Sequence, residues 1–484
     1  MQQHSRRTFL RRTLLTPATI LCAPALLKAA RPTEKLSVGV IGCGIRGRFH
    51  AAEFTAHPDC HVSYVADADS ARAESVADQV AESQGLRPQV ERDLRRILDD
   101  TSVDCVSIAT CNHWHALASI WALQAGKHVY VEKPLSWCIH EGRRVVQAAR
   151  RYDRVCQVGT QYRSDPTILH AKRFIDDGGI GQVKVARSIT YKSRLPIGPV
   201  VEGSPPATCD YHLWAGPAPL SPITRKQFHY DWHWFWETGN GDIGNNDVHY
   251  QDLCCWAANR SKLANASISF GGRFGYIDSA ETPNTQMAIH DMDGVTLVAE
   301  IRGLPSTDFS IRGTAIIYGT NGIIVLGAGS SVLYDMDRRK VREFEGPPED
   351  GSTLSRIHIG SFVDAVKVQD REIHRADVAQ GHVSAAMCHL ANNSYRLGAK
   401  VPAREVLARL QERNVAEDVL DLYQRTVGHL ASNGVDVDRQ LLTAGPWLDF
   451  DPDQEQYISR PDADMLLSRP YRPPFVVPEK ESDL

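Results

Sequence analysis

The sequence predicts an α/β protein in which a mostly parallel N-terminal sheet is followed by a C-terminal α/β domain with a mainly antiparallel sheet. From residue 36, short apolar runs alternate with helix-length mixtures of polar and apolar residues, which favours βαβ units and a parallel sheet. After about residue 160, apolar and polar residues alternate along stretches separated by Gly, Asn and Asp. That pattern is typical of antiparallel strands.

The predicted elements follow this division. N-terminal strands are expected at residues 36–41, 61–65, 103–108 and 128–131, with helices over 50–56 and 71–84. C-terminal strands are expected at residues 182–191, 264–270, 285–290, 296–301, 314–318 and 322–326, with helices over 357–368 and 382–397. The last residues are rich in Pro, Arg and Asp and are predicted to form an extended tail. The chain is therefore divided into segments 1–30, 34–158, 159–400 and 401–484, the last being a helical extension with a Pro-rich tail.

Composition restricts the class of protein. Of the 484 residues, 42% are hydrophobic and 23% are charged, which suits two or three globular domains and excludes a disordered, collagen-like or coiled-coil chain. The net charge of -4 provides no general basic field for binding nucleic acid or an anionic membrane surface. Small molecules are therefore the expected partners.

The first 30 residues form a segment of their own. Two adjacent arginines, Arg6 and Arg7, are followed by Phe9, Leu10, more arginine and an apolar run over residues 14–27. This order is typical of a twin-arginine signal, and it predicts a periplasmic or otherwise exported protein that uses the twin-arginine export machinery. No apolar stretch reaches the roughly 18 residues that a membrane-spanning helix needs, so stable membrane insertion is not expected.

The cysteines give no sign of a metal centre. The chain has 11 of them, scattered apart from Cys254 and Cys255, and no C-x-x-C pair is present. This spacing does not support a zinc or iron–sulfur site, and no metal is predicted. Because the twin-arginine pathway exports proteins that have folded in the reducing cytosol, most of these thiols are expected to be buried and unbonded.

A glycine-rich turn follows the first predicted strand. The pattern G-x-G-x-x-G is formed by Gly42, Cys43, Gly44, Ile45, Arg46 and Gly47. It connects an apolar strand to a helix, so its backbone can approach a pyrophosphate whose charge meets the unpaired amides of the helix N-terminus. Asp67, at the end of the second strand, can accept hydrogen bonds from a ribose and repel a 2′-phosphate. The segment is therefore predicted to be an NAD(P)-binding Rossmann domain that prefers NAD.

Three further segments complete a family pattern. They are Ala109-Thr110-Cys111-Asn112-His113-Trp114-His115, Val131-Glu132-Lys133-Pro134, and the stretch from Gly241-Asp242 through His249 to Asp252. Together with the glycine-rich turn, they resemble the Gfo/Idh/MocA oxidoreductases over approximately residues 35–397. The resemblance implies a Rossmann domain joined to an α/β domain whose large open sheet carries a sugar site and often forms a homo-oligomer interface.

The resemblance also implies roles for individual residues near the cofactor. Lys133 corresponds to the family lysine that contacts both the nicotinamide ribose and the substrate hydroxyl. A lysine at the carboxyl end of a parallel strand points into the cofactor crevice, where a positive nicotinamide would lower its pKa towards the range of an acid–base catalyst. The other cofactor-binding positions that the resemblance implies are Thr110, Asn112, His115 and Glu132.

His249 is the residue predicted to transfer the hydroxyl proton, and Asn245 belongs to the same predicted catalytic set. In a helix, His249 would share one face with Asn245, Asp252 and Trp256, and Asp252 would orient its ring. The family usually has Asp at position 245, and an asparagine cannot act as a base. Either His249 and Lys133 suffice, or the chemistry differs. The alternative interpretation is that Asn245 caps the helix and His249 packs in the core.

Aromatic residues are dense in segment 228–236, just before this motif. Sugar rings have apolar faces that stack on aromatic side chains, so the segment suits a carbohydrate cleft, and core packing explains the same composition equally well. Tyr162 and Arg163 follow the end of the predicted Rossmann domain, where the resemblance implies substrate or cofactor contacts. The predicted substrate contacts are Trp232, His233, Tyr162, Arg163 and Asp252.

These features lead to three functional hypotheses. An exported enzyme has no free nicotinamide pool, so its NAD must stay bound and be restored within the catalytic cycle. The first hypothesis is an NAD-dependent oxidoreductase that acts on a CH–OH group of a sugar or sugar derivative, with a second carbonyl compound reoxidising the cofactor. The second is a redox-neutral, NAD-dependent glycoside hydrolase that oxidises C3, eliminates the aglycone, adds water and returns the hydride. The third is a non-catalytic protein that binds sugar or NAD.

Overall fold

A computed structural model describes residues 35–306, 313–346, 351–413 and 415–484. The predicted export signal at residues 1–30 lies outside the described residues. Within the described ranges the chain forms two sheets, one parallel and one mostly antiparallel, as the sequence predicts. The fold class is therefore confirmed.

The N-terminal sheet is six-stranded and parallel. Its strands are β1 (Leu36–Ile41), β2 (Cys60–Ala66), β3 (Gln89–Glu91), β4 (Cys105–Ile108), β5 (His128–Val131) and β6 (Cys156–Val158). Their order is β3-β2-β1-β4-β5-β6, so the direction of winding reverses between β1 and β4. Ligands of open parallel sheets bind at the carboxyl ends of the strands beside such a reversal. The topology therefore places a crevice at the ends of β1, β2, β4 and β5.

Helices cover both faces of this sheet. They are α1 (Ile45–Ala56), α2 (Ser70–Gln84), α3 (Arg95–Asp99), α4 (Asn112–Gln124) and α5 (Ile139–Arg151). Val38 and Val40 of β1 pack in one core with residues of α1 and α2, whereas Val129 and Val131 of β5 pack in another with residues of α4 and α5. Continuous apolar runs are expected of strands buried on both faces.

The second sheet has 12 strands among the described residues. They are β7 (Val183–Tyr191), β8 (Ala266–Gly272), β9 (Thr285–Asp291), β10 (Thr296–Arg302), β11 (Gly313–Gly319), β12 (Ile323–Gly327), β13 (Ser330–Tyr334), β14 (Lys340–Phe344), β15 (Ala399–Val401), β16 (Leu442–Ala444), β17 (Leu448–Asp451) and β18 (Gln456–Tyr457). The main path is β14-β13-β12-β11-β7-β10-β9-β8-β16-β15, and β17 pairs with β8 and β18. Only β7 and β10 are parallel neighbours among these described strands.

Different helices cover the two faces of the second sheet. The remaining helices are α6 (Pro166–Asp176), α7 (Tyr211–Ala215), α8 (Val248–Ala257), α9 (Gly351–Val368), α10 (Val378–Arg396), α11 (Ala403–Glu412), α12 (Glu417–Ser432) and α13 (Pro461–Asp464). Leu297 of β10 packs in one core with Leu253 of α8, whereas the next residue, Val298, packs in another with Leu410 of α11. Successive side chains of a strand point to opposite faces of the sheet. One face therefore packs against α8 and the other against α11.

The C-terminal residues differ from the predicted extended tail. β16 and β17 hydrogen-bond to β8 and extend the sheet there, which satisfies backbone groups that an edge strand would otherwise expose. The chain then returns to the first domain, where Phe475 is buried with its ring centroid 5.4 Å from that of Trp114 and 6.2 Å from that of Trp121. Arg151 of α5 donates to the carbonyl of Glu481 at 2.9 Å. The tail is therefore anchored against α4 and α5.

The described cysteines are free thiols, as the sequence predicts. None of the 10 forms a disulfide, and most of them are buried. Within the described residues, no group of three or more His, Cys, Asp or Glu side chains is placed to hold a metal ion. A search of the same residues finds no helix with the length and hydropathy needed to cross a membrane.

The tail contact gives a test of the fold. Phe475→Ala removes a fully buried ring from between two tryptophans, so we expect the free energy of unfolding to fall by about 3 kcal/mol. The matched control is Val476→Ala at the neighbouring, exposed position, which is expected to change little. Urea unfolding followed by tryptophan fluorescence measures both variants. An equal, small effect of the two substitutions would contradict the anchoring of the tail.

Candidate functional site

A crevice lies at the carboxyl ends of the parallel strands and is also lined by residues of the second domain. The structure brings most of the predicted site residues to its walls. The predicted residues that line it are Gly42, Gly44, Ile45, Arg46, Asp67, Thr110, Asn112, His115, Glu132, Lys133, Trp232, His233 and Asn245. The predicted residues that do not line it are Gly47, Tyr162, Arg163, His249 and Asp252.

The glycine-rich turn is so closely packed that two of its positions exclude a side chain. Gly42 has a φ of +87°, and a Cβ there would lie 2.7 Å from the main chain of Ala109. A Cβ on Gly47 would lie 1.6 Å from the carbonyl oxygen of Gly42. Gly44 precedes α1, and no side chain caps this helix. The first amides of α1 therefore remain available to an anion in the crevice.

Asp67 lies at the end of β2 in the wall of the crevice. Its carboxylate accepts the backbone N–H of Cys43 at 2.7 Å and that of Asp69 at 2.9 Å. Burial raises the pKa of Asp67, and these two hydrogen bonds oppose the rise. A carboxylate oxygen has more than one lone pair, so this group can also accept hydrogen bonds from the hydroxyls of a ribose.

The residues after β4 and β5 fit a dinucleotide in different ways. The hydroxyl of Thr110 is buried in the crevice wall and has no hydrogen-bond partner among the described residues, so it is available to a ligand. Asn112 instead donates to the side-chain carbonyl of Asn240 at 2.9 Å. The ring nitrogens of His115 lie 2.7 Å from the carbonyl oxygen of Pro134 and 3.0 Å from that of Thr110. Asn112 and His115 therefore hold the loops of the crevice in place.

Glu132 is the centre of a buried charge cluster beside Lys133. A guanidinium nitrogen of Arg46 lies 2.6 Å from its carboxylate, and Nε2 of His50 lies 3.1 Å from it. Burial alone would raise the pKa of Glu132, but Arg46 and His50 bring it well below its usual value. His50, which no sequence pattern indicates, reaches Glu132 from the buried face of α1. Glu132 is therefore an ionised group whose charge is largely neutralised by Arg46.

Lys133 links the two domains across the crevice. Its amine donates a hydrogen bond to the backbone carbonyl of Asn245 at 2.5 Å. Burial lowers the pKa of Lys133; Glu132 opposes this effect, and neighbouring cations add to it. An amine with a lowered pKa exchanges its proton more readily at neutral pH, which is what an acid–base group requires.

The segment that carries Asn245 begins as a π-helical turn, Ile243–Asp247, before continuing as α8. A π-turn contains one residue more than an α-helical turn. Asn245 lies in this turn and lines the crevice, whereas His249 lies in α8 and does not line it. That the two residues share one face stays a prediction. The turn is fixed by Asp247, whose carboxylate accepts the hydroxyl of Ser188 in β7 at 2.8 Å. Burial raises the pKa of Asp247 to about 7. The backbone of Asn245, rather than its side chain, therefore contacts Lys133.

His249 is buried behind the crevice. Its ring centroid lies 5.2 Å from that of Tyr162, and its Nδ1 has no hydrogen-bond partner among the described residues. Burial, together with the charge of Lys133, lowers the pKa of His249 to about 3. The imidazole is therefore neutral near pH 7 and a weak base. Of the two groups predicted to transfer a proton, Lys133 is the better placed.

Arg163 and Asp252 bind each other. Nε of Arg163 lies 2.6 Å from one carboxylate oxygen of Asp252 and Nη2 lies 2.9 Å from the other, and both side chains are buried. The guanidinium also lies over the ring of Trp256, 5.0 Å from its centroid. Asp252 therefore does not orient His249 as predicted, because a bidentate guanidinium is a stronger partner for a carboxylate than an imidazole is. The pair joins α8 to the segment after β6.

The aromatic segment serves both of the purposes that the sequence left open. Trp232 belongs to a small buried cluster with Trp214 and Phe228, and it also lines the crevice. Its ring stacks on that of His233 with centroids 3.7 Å apart. Burial lowers the pKa of His233 to about 3. The crevice therefore receives a rigid aromatic wall that is supported by a core of its own.

Lys192 and Arg194 were not identified from the sequence. They follow β7 and line the crevice on the side of the second domain. No local pattern distinguishes them from other surface cations of the chain. Their position depends on the pairing of β7 with β10, which only the assembled sheet shows.

The sequence has the signature of a known family in both domains. Residues 36–160 match the Gfo/Idh/MocA oxidoreductase family, described as having an NAD-binding Rossmann fold. Residues 197–429 match the C-terminal α/β domain of the same oxidoreductase family. The chain therefore belongs to the Gfo/Idh/MocA family, and its N-terminal domain is an NAD-binding Rossmann domain. The predictions of the family and of NAD as cofactor are confirmed.

Similar proteins include two dehydrogenases. Inositol 2-dehydrogenase 2 from Saccharopolyspora erythraea is 36% identical over 185 residues, which are 37% of this chain and 53% of that protein. Levoglucosan dehydrogenase from Pseudarthrobacter phenanthrenivorans is 26% identical over 324 residues, which are 63% of this chain and 75% of that protein. The matched region thus spans about half the length of the inositol dehydrogenase.

Solved structures show the same fold. A levoglucosan dehydrogenase in complex with NADH has a TM-score of 0.59 and 21% sequence identity, and the match covers 74% of this chain and 96% of that one. The WlbA dehydrogenase from Bordetella pertussis, in complex with NADH and UDP-GlcNAcA, has a TM-score of 0.55 and 19% identity, with 75% and 97% covered. At this level of identity the likeness establishes the shared architecture.

The buried histidines predict how stability depends on pH. Burial lowers the pKa to about 3 for His113, His233, His249, His290 and His389. Between about pH 6.5 and 3, the unfolded chain therefore binds protons that the folded chain does not, so the free energy of unfolding falls as the pH falls. Asp67, Glu141, Asp231 and Asp247, whose pKa values are raised by burial, contribute in the opposite direction.

His290 provides the test because burial is the only cause of its shift. In His290→Gln, the slope of unfolding free energy against pH near pH 5 is expected to decrease by about 1.4 kcal/mol per pH unit. His170→Gln, at an exposed position, is the control. Urea unfolding of each protein at a series of pH values gives the slopes. Equal slopes for all three proteins would contradict the assignment.

Proposed function

We propose that this protein is an NAD-dependent oxidoreductase that oxidises a CH–OH group of a sugar or sugar derivative and retains its NAD throughout the catalytic cycle. The observation that carries the proposal is the position of the Lys133 amine, between the NAD-binding turn and the second domain. The similarity to inositol and levoglucosan dehydrogenases supports a cyclic sugar or polyol as the substrate.

Lys133 is the group that takes the hydroxyl proton. Bound NAD supplies a hydride acceptor for the carbon that bears this hydroxyl. The amine of Lys133 donates a hydrogen bond to the carbonyl of Asn245, and this carbonyl does not take up the proton. The contact therefore fixes the direction in which the lone pair of the neutral amine points. When the amine becomes an ammonium, the negative charge of Glu132 stabilises it. Arg46 limits this stabilisation because its own positive charge is paired with Glu132. The lysine can therefore cycle between its two protonation states.

Retention of NAD is supported by residues 208–236, which we call the cover segment. His229 and Trp232 of this segment line the crevice, and it is held to the Rossmann domain at several points. Nε2 of His229 donates to the carboxylate of Asp69 at 2.9 Å, and the N–H of Asp210 donates to the carbonyl of Ala68 at 2.9 Å. A dinucleotide beneath the segment would have to break these contacts in order to leave.

The C-terminal tail adds a second attachment. Arg472 donates to the carbonyls of His212 and Gly216 in the cover segment, each at 2.8 Å. Arg469 donates to the carbonyl of Glu237, just beyond the segment, at 2.9 Å, and its guanidinium lies 4.1 Å from the ring centroid of Trp137. The cover segment is therefore held between the first domain and the tail, which favours slow release of a bound cofactor.

Retention agrees with the export that the N-terminal sequence predicts. A protein exported through the twin-arginine pathway carries its bound cofactor with it and cannot exchange it outside the cytosol. A second substrate with a carbonyl group therefore reoxidises the NADH while it stays bound. The redox-neutral glycoside hydrolase is not favoured, because the similar proteins are dehydrogenases. The non-catalytic alternative is not favoured because both domains match an oxidoreductase family.

Single-turnover absorbance tests the proposed activity. The protein, purified without added nucleotide, is mixed with inositol, levoglucosan and a series of hexoses, and NADH absorbance is followed before and after a ketose is added. At least one compound is expected to reduce the bound NAD, and the ketose is expected to reverse the signal. Lys133→Ala is expected to slow reduction by about 100-fold or more, because the proton acceptor is lost.

Lys184→Ala provides the matched control, since this lysine is exposed near the start of β7 and away from the crevice. It is expected to reduce NAD at the wild-type rate. Reduction by Lys133→Ala at the wild-type rate would contradict the role of Lys133. Failure of every compound to reduce NAD in the wild-type protein would contradict the proposed activity.

A further inference from the structure

The backbone fixes two cations at the second-domain end of the crevice. Lys192 and Arg194 directly follow β7, and their N–H groups donate to the carbonyls of Arg302 at 3.1 Å and Gly303 at 2.8 Å. These bonds continue the parallel pairing of β7 with β10 beyond the strands. Residues two apart in an extended segment point to the same side, so Lys192 and Arg194 both face the crevice that they line.

Arg194 and Lys192 differ in their partners. Arg194 is paired with Asp242, with Nε 3.0 Å from a carboxylate oxygen, and its guanidinium lies over the ring of Trp234. Among the described residues, the amine of Lys192 has no carboxylate partner, and the amine of Lys133 bonds to a neutral carbonyl.

Glu132, the other carboxylate at this end, is paired with Arg46. Arg46 and Arg194 therefore each have a carboxylate partner, whereas Lys192, whose side chain is exposed at the crevice, has none among the described residues.

The cations at this end of the crevice act on one another and on neighbouring groups. Burial and then Arg194 lower the pKa of Lys192, and both cations contribute to the lowered pKa values of Lys133 and His233. NAD does not offset the charge at this end, because the nicotinamide ring of oxidised NAD is itself positive. Its pyrophosphate belongs at the N-terminus of α1, on the other side of the crevice. An anionic group bound beside Lys192 would therefore be attracted by a charge that the nicotinamide does not neutralise.

We propose that Lys192 and Arg194 form a subsite for an anionic substituent of the substrate, so that the substrate is a sugar acid or a sugar phosphate. The inference rests on the proposed function, because it concerns the same crevice and the same reaction. Arg194 is held rigidly by Asp242 and by its contact with Trp234, which suits recognition of a planar or tetrahedral anion with little loss of side-chain entropy. Lys192 supplies a second positive charge that forms no salt bridge among the described residues.

Equilibrium binding tests the subsite separately from catalysis. D-Glucuronate, D-glucose 6-phosphate and D-glucose, together with the corresponding galactose compounds, are titrated into the purified holoprotein in a calorimeter at low and high salt. At least one anionic sugar is expected to bind about tenfold more tightly than its neutral parent, and salt is expected to reduce the difference. A preference for the uronate identifies a carboxylate as the substituent, and a preference for the 6-phosphate identifies a phosphate.

Three variants assign the effect to the side chain. Lys192→Ala is expected to remove most of the preference for the anionic sugar without changing the affinity for the neutral parent. Lys192→Arg, which retains the charge, is expected to keep the preference, and Lys184→Ala is expected to behave as the wild type. Equal or tighter binding of the neutral parents, absence of binding by every anionic sugar, or an equal loss for both kinds of sugar in Lys192→Ala would overturn the inference.

NADH formation with the same sugars is recorded independently. A protein that oxidises neutral sugars without preferring anionic ones retains the proposed function and loses the subsite. A protein that binds an anionic sugar through Lys192 but reduces NAD with no compound retains the subsite and loses the proposed function.

Discussion

The hydrogen bond between the Lys133 amine and the Asn245 carbonyl is the contact on which the geometry of the site depends. It joins the end of β5 in the parallel sheet to the π-turn before α8 in the second domain. The turn is in turn fixed to β7 through Asp247 and Ser188. One continuous set of contacts therefore positions the end of β5, the π-turn and β7. Burial among these elements lowers the pKa of the Lys133 amine.

The parts of the site that depend on local geometry could be predicted from the sequence. In a parallel sheet, the carboxyl ends of the strands lie at one edge. A glycine-rich turn after one strand and a carboxylate after the next must therefore both lie at that edge. These patterns locate Gly42 and Asp67, whereas the family resemblance locates Lys133, and all three line the crevice. Strands buried on both faces were recognised for the same reason, since their apolar runs do not depend on distant partners.

The parts that depend on distant partners could not be predicted. Arg163 and Asp252 are 89 residues apart, and only the packed structure shows that they pair. The π-turn that contains Asn245 depends on the contact between Asp247 and Ser188 of β7, which are 59 residues apart. Lys192 carries no local signal either, since the neighbouring strand β10 determines where it points.

The aromatic segment and the C-terminal tail show how core packing and ligand enclosure can use the same residues. Trp232 belongs to a buried cluster and also forms a wall of the crevice, so neither interpretation of its sequence context excludes the other. The tail packs Phe475 between two tryptophans of α4, and the same tail holds the cover segment through Arg472. Stability of the tail and enclosure of the cofactor are therefore physically linked.

The most direct test of cofactor retention is the nucleotide content of the protein purified without added cofactor, denatured and assayed for NAD(H) and NADP(H) by absorbance and mass. We expect NAD(H) in an amount equal to that of the protein, with a much lower content in Asp69→Ala, which loses the contact to His229, and a full content in Asp78→Ala on the exposed side of α2. A wild-type protein that is empty and binds no added nucleotide would show that the crevice does not hold NAD.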